Sequence, residues 1–222
     1  MEKEQQITME MIAATLVHEV KNPLALLEAH VDFMALCDEE KKFQKNYTSM
    51  KSEIKKTAAL LTQFINFFQA TEESDEALDL AGLIERVVGD YENIPGKNII
   101  VRKNLERPLP FFGNRRMFEI VFSNIIKNSV EAIDGNGVIE ISASSDGGRI
   151  ELTFSDNGRG IPALMLERLN AGASETSKLN GTGLGTKICR RAVADCGGTY
   201  SLESVEGSGA TVRINLLTKC PV

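Results

Sequence analysis

An α-helical hairpin followed by a separate mixed α/β domain is the multidomain fold class that this sequence predicts, and three observations carry it. Residues 8–36 and 41–70 repeat apolar side chains at three- and four-residue steps, the period of amphipathic helices. Beyond about residue 78 short β-type runs alternate with single helical patterns. Between the two regions Thr71-Glu72-Glu73-Ser74-Asp75-Glu76 is polar and acidic, which marks a linker. The expected domains are therefore 1–72 and 78–222.

The first helix places Met9, Ile12, Leu16, Val20, Leu24, Leu27, Val31 and Met34 on one stripe. The second repeats the pattern with Phe43, Tyr47, Met50, Ile54, Ala58, Leu61, Ile65 and Phe68. The short link Cys37-Asp38-Glu39-Glu40 fits an antiparallel hairpin. Two helices alone leave apolar stripes exposed, so a homodimer that forms a four-helix bundle is expected. In the second domain Leu80–Tyr91 reads as a helix and Asn98–Lys103 as a strand. Asn114 can cap a helix running to about Ile133. Val138–Ala143 and Arg149–Phe154 read as neighbouring strands joined by the Ser144-Ser145-Asp146-Gly147-Gly148 turn. Residues 184–196 form a helical pattern, and Thr199–Glu203 and Ala210–Leu216 close the domain as strands.

Net charge is −6, from 25 basic and 31 acidic residues. That balance argues against nucleic acid as a partner, because backbone binding needs a basic face. Cys37, Cys189, Cys196 and Cys220 show no CxxC spacing, and with two histidines neither a zinc site nor a disulfide framework is indicated. A reducing, cytoplasmic setting is expected. No run approaches the roughly 20 apolar residues of a membrane span, so no membrane contact is expected within this segment. Met1-Glu2-Lys3-Glu4-Gln5-Gln6 lacks the apolar core of a signal peptide. Both a free cytoplasmic protein and the cytoplasmic part of a membrane-anchored sensor fit.

Four short patterns carry the chemistry. His18 is followed by Glu19, Asn22 and Pro23. Glu19 can hydrogen-bond the ring and activate its other nitrogen, and Asn22 lies one turn on, where it can orient a water. Pro23 removes the amide hydrogen that would bond the Glu19 carbonyl and bends the helix. The plain alternative is a histidine lying against a bundle core. Asn124 and Asn128 fall one turn apart on a helix, and the Asn128 amide oxygen is a hard ligand suited to Mg²⁺ beside ATP phosphates. Two amides on a solvated helix edge explain the same pattern. Asp156 leaves the Ile150–Phe154 strand into Asn157-Gly158-Arg159-Gly160, where a carboxylate can accept from the adenine amine and Gly158 and Gly160 admit close approach. A plain Asp-Asn-Gly turn is the alternative. Gly181-Thr182-Gly183-Leu184-Gly185 leads into a helix whose N-terminal amides offer a phosphate cradle. Singly these patterns are weak, and in this order they are strong.

Together the segments resemble the sensor histidine kinases of two-component signalling, over nearly the whole chain. His18–Pro23 is similar to their H box, Asn124–Asn128 to the N box, Asp156–Gly160 to the G1 box and Gly181–Gly185 to the G2 box. The resemblance implies a dimeric helical hairpin and an α/β sandwich of the kind shared with gyrase and Hsp90. It implies that His18 accepts a phosphoryl group from ATP, with Glu19 as general base and Asn22 orienting water in a phosphatase reaction. Asn128 would hold Mg²⁺, Asp156 would read adenine, and Gly181–Gly185 would close a flexible lid over roughly Ile161–Asn180. Lys178 and Thr211 join the nucleotide-binding set. The implied partners are a second copy, a response-regulator receiver domain and a protein inhibitor of the bundle. More loosely, the H box and long helices resemble a sporulation-type sensor kinase.

Two features depart from the family pattern. Leu166–Lys178 contains no aromatic residue, so the usual phenylalanine box is missing. Glu131 stands where many members place a phosphate-binding lysine, which leaves Lys127, Arg159 and Lys178 to meet phosphate charge. Two other readings compete. A gyrase/Hsp90-type ATPase needs a glutamate base at the position of Asn124, and a catalytically degenerate dimeric scaffold is disfavoured by intact His18, Asn128 and Asp156.

Overall fold

A computed structural model describes residues 24–38, 41–71, 73–91, 95–170 and 184–218. They fall into two compact units, one ending at Gln69 and the other beginning at Ala70.

In the first unit residues 24–37 are helical (α1), and α2 spans Gln44–Ala70. Asp38 ties down the turn that leads into α2: its carboxylate accepts from Lys42 N at 3.2 Å and Phe43 N at 2.8 Å. Lys51 Nζ reaches Asp32 at 2.9 Å and Glu28 at 3.9 Å, and Lys55 reaches the same Glu28 at 3.9 Å. Glu28 and Asp32 are one turn apart, as are Lys51 and Lys55, so the pairs fix the alignment of the hairpin. Being partly solvated, they add little stability, about 0–1 kcal/mol each. Val31 is buried, whereas Leu26, Leu27, Phe33, Met34, Met50 and Phe64 are exposed. One hairpin therefore cannot cover its own apolar surface.

The second unit is an α/β sandwich. Its five-stranded mixed sheet has the order β2-β4-β5-β7-β6, formed by Asn98–Leu105, Asn136–Asp146, Arg149–Asp156, Gly209–Leu217 and Thr199–Val205 respectively. Only β2 and β4 run parallel; the other neighbours are antiparallel. Helices α3 (Leu80–Gly89), α4 (Arg115–Ala132) and α6 (Leu184–Asp195) supply the second layer, with α4 across β5 and β7 and α6 across β6. Phe118, Phe122 and Phe154 sit between the layers, and the Phe122 and Phe154 ring centres are 5.7 Å apart.

Two features, comprising three elements, were not foreseen in the sequence. Glu76–Asp79 (β1) pairs antiparallel with Pro110–Gly113 (β3) in a separate two-stranded sheet, so the last residue of the acidic stretch is a strand residue. Asp79 then caps α3, accepting from Ala81 N and Gly82 N at 3.3 Å and from Leu109 N at 2.9 Å. Secondly, Ala163–Asn170 is a helix, α5, within the stretch expected to be a lid. Leu169 buries its side chain, Asn170 Nδ2 donates to Leu202 O at 3.3 Å, and Arg190 donates to Asn170 Oδ1 at 2.6 Å. The start of that stretch is thus built into the sandwich.

Candidate nucleotide site

Helix α4 is the platform of the site. Asn114 caps it as expected: Oδ1 accepts from Met117 N at 2.8 Å, while Nδ2 donates to Glu73 O at 2.7 Å and to Ala70 O. Phe118, Phe122 and Ile126 bury one face. Asn124 lies half-buried at the edge of that face, and Asn128 lies one turn on in solvent. The Asn124 Nδ2 donates to Ile120 O at 2.8 Å, so this amide is engaged by its own helix. Lys127 and Glu131 form an i,i+4 ion pair at 3.9 Å. Part of the charge at Lys127 is thereby matched by the glutamate that departs from the family pattern.

Asp156 ends β5 opposite Ile139 of β4 and Ala210 of β7. Strand residues alternate faces, and Ile150, Leu152 and Phe154 are buried towards α4, so Asp156 belongs to the α4 side of the sheet. Its Oδ1 accepts from Gly158 N at 2.9 Å. Among the described residues no partner meets Oδ2. The following loop is fastened on three sides: Asn157 Oδ1 accepts from Val138 N at 2.8 Å, Arg159 N donates to Ala132 O at 2.9 Å, and Gly207 N donates to Arg159 O at 2.8 Å.

The loop glycines are required by the protein's own backbone. A Cβ at Gly158 would fall 2.7 Å from Ala132 O, and one at Gly160 would fall 2.1 Å from Val205 O. Gly160 also has a φ of +66°, which few side chains tolerate. Their close approach is therefore to the end of α4 and to the β6–β7 turn.

Thr211 is separated from this cluster. It stands opposite Ser155, with the two hydroxyl oxygens 2.9 Å apart, on the sheet face away from α4. The residue beside Asp156 on β7 is Ala210. A one-residue change of register parity reverses every side chain, and only the strand pairing reveals it.

Lys97 was not anticipated. Its ammonium donates to Val130 O at 2.6 Å and Ile133 O at 2.7 Å, closing the C-terminus of α4 where the helix dipole favours a cation. With Ala132 O taken by Arg159 N, the end of α4 is held from two sides, and the Asp156 loop is held with it. Gly185, in the first turn of α6, packs against Asn124; a Cβ there would lie 2.6 Å from Asn124 Oδ1. Cys189, one turn further along α6, is buried with its Sγ 3.7 Å from Val121 O, and burial raises its thiol pKa to about 12. Leu184 opens α6. His18, Glu19, Asn22, Pro23, Lys178, Gly181, Thr182 and Gly183 lie outside the described residues.

Residues 113–219, from the end of β3 through β7, match the family described as histidine kinase-, DNA gyrase B- and HSP90-like ATPase. The whole chain is 30% identical over 217 residues to sporulation kinase B of Bacillus subtilis, covering 95% of this chain and 50% of that protein. It is 27% identical over 228 residues to the sensor histidine kinase ZraS of Escherichia coli O157:H7, covering 99% of this chain and 49% of that protein. These similarities support a sensor histidine kinase. It spans about half the length of the curated relatives it matches. Among solved structures, the catalytic domain of histidine kinase ThkA aligns with a TM-score of 0.58 at 26% identity, over 66% of this chain and 97% of that one. Full-length ShkA, solved in complex with AMPPNP, shares the fold at a TM-score of 0.64 and 22% identity, over 95% of this chain and 47% of that one. The sandwich described above is thus the ATP-binding catalytic domain of a histidine kinase. Among the described residues no helix is long and apolar enough to cross a membrane.

Proposed function

We propose that this histidine kinase core works as a cytoplasmic homodimer, phosphorylates His18 from ATP and passes the phosphoryl group to an aspartate of a response-regulator receiver domain. The domains 1–72 and 78–222 divide acceptor from nucleotide. The arrangement at Asp156 carries the reading. One carboxylate oxygen is fixed by Gly158 N and the other has no partner among the described residues, on the same side of the sheet as the Asn124–Asn128 edge of α4. A fixed carboxylate with one oxygen available is what an exocyclic amine needs.

Asn128 would hold Mg²⁺, which neutralises phosphate charge when bound. The donor set fits: Mg²⁺ keeps several waters and takes one or two protein oxygens beside substrate phosphates, so a single exposed amide suffices. Lys127, Arg159 and Lys178 answer the remaining charge, and Gly181, Thr182, Gly183, Leu184 and Gly185 lead phosphates to the start of α6. At the acceptor, Glu19 takes a proton from the imidazole while the other ring nitrogen of His18 bonds to phosphorus, and ADP departs. Asn22 orients water for dephosphorylating the regulator. The similarity to sporulation kinases of Bacillus subtilis favours a sporulation-type pathway for the same chemistry. A protein inhibitor docking on the hairpin bundle belongs to the same reading.

The gyrase-type alternative is disfavoured because Asn124 is no base and its amide is spent on Ile120 O. Calorimetry with Asp156→Asn tests the proposal. Losing a charged hydrogen bond of about 1.5–3 kcal/mol should weaken ADP and ATP alike by about tenfold or more. Unchanged affinity for both nucleotides would contradict it.

A further inference from the structure

The first turn of α4 carries Arg115 and Arg116 and no acidic residue. Cations there oppose the helix dipole, so the turn needs carboxylates from elsewhere. They come from the acidic run that leads into β1: Arg115 pairs with Glu76, and Arg116 Nη1 lies 2.9 Å from Glu73 Oε1. Asn114 adds a neutral hold on the same run. Its Oδ1 caps α4, while its Nδ2 donates to Glu73 O at 2.7 Å and to Ala70 O. An aspartate would cap the helix as well, but it has no N–H to give and would set a carboxylate against two carbonyl oxygens. The far end of the run is fixed differently, by buried Leu78 and by Asp79 at the start of α3. Both ion pairs are largely solvated, so each is weak alone. The grip on residues 73–77 is therefore closed yet reversible, whereas the anchor at Leu78 and Asp79 is not.

We infer that residues 73–77 are a strap latched onto the N-terminal turn of α4, and that the latch restrains phosphoryl transfer by withholding slack between nucleotide and acceptor. This rests on the phosphorylation reading above. While latched, the acidic run is part of the second unit. Opened, residues 71–77 become a tether of up to about 25 Å, at roughly 3.3–3.6 Å per residue. Asn114 is the hinge pin of the device, because one side chain serves both the helix cap and the strap.

Asn114→Asp in the full chain separates strap from cap. Hydrogen exchange at Glu73–Ala77, read residue by residue, should quicken by about tenfold or more, while residues 117–126 stay within about threefold of wild type because α4 keeps its cap. ADP affinity by calorimetry should hold within about threefold, and the initial rate of label uptake from Mg²⁺ and γ-labelled ATP should rise by about threefold or more. A second variant, Glu73→Gln with Arg116→Gln, leaves Asn114 untouched and should move exchange and rate in the same directions. Unchanged exchange at 73–77 in both variants would overturn the latch. Quicker exchange with an unchanged or lower rate would overturn the restraint. Quicker exchange throughout α4 in Asn114→Asp, with none in the second variant, would reduce Asn114 to a cap and overturn the inference too. A wild-type chain that takes up no label would sink the phosphorylation reading and the restraint with it, and the exchange data would then judge the latch alone.

Discussion

Asn128 and Asp156 stand on different elements and, on the proposed reading, would meet different parts of the same nucleotide, so substitution can separate them. On that reading, removing the Asn128 amide oxygen would delete a metal ligand, and phosphoryl transfer depends on positioning and on neutralised phosphate charge. Asn128→Ala should therefore weaken Mg²⁺-dependent ATP binding by about tenfold while leaving Mg²⁺-free ADP binding within about threefold, as read by calorimetry. Equal losses with and without Mg²⁺ would assign Asn128 to packing. Both positions could be proposed from the sequence, because a carboxylate leaving an apolar strand and two amides one turn apart are local patterns. Thr211, included in the expected nucleotide-binding set, stands opposite Ser155 and not Asp156, a placement that only the pairing of β5 with β7 reveals. Lys97 has no local signature: a lysine before a strand gains meaning only when tertiary structure brings it to the end of α4.

At the scale of elements, α4 joins sequence to site. Its cap at Asn114 and its amphipathic period could be read directly, and its span of Arg115–Ala132 agrees with that reading. Its closure by Lys97 predicts a stability effect. Lys97→Met removes two hydrogen bonds from a charged donor at a helix C-terminus, worth together about 1.5–3 kcal/mol. Urea unfolding should show a loss of that order, with partial recovery in Lys97→Arg. An unchanged midpoint would mean that water replaces the ammonium without cost. The short strands β1 and β3 were illegible for another reason. Each has four residues, β1 buries only Leu78, and their pairing of Glu76 with Gly113 spans a long loop of sequence. Helix α5 was hidden by the lid that the resemblance implied over roughly Ile161–Asn180, although Leu166, Leu169 and the preceding Pro162 fit a short helix start.

For the whole molecule, the exposed apolar residues of the hairpin and the closed core of the sandwich make opposite demands. Leu27 and Met34 belong to the predicted α1 stripe and stay exposed in the single chain, whereas Phe118, Phe122 and Phe154 are buried within one unit. A chain carrying both Leu27→Asp and Met34→Asp should scatter light as a monomer and still bind ADP, because on the proposed reading dimerisation and nucleotide binding belong to different units. A dimer that persists would place the interface elsewhere. The central claim, that ATP phosphorylates His18, is tested most directly by incubating the chain with Mg²⁺ and γ-labelled ATP and then treating the labelled protein with acid. A phosphorus–nitrogen bond on imidazole is acid-labile, so wild-type label should appear and then be lost in acid, and His18→Gln should acquire none while retaining ADP affinity. Label that survives acid, or label on His18→Gln, would contradict the account.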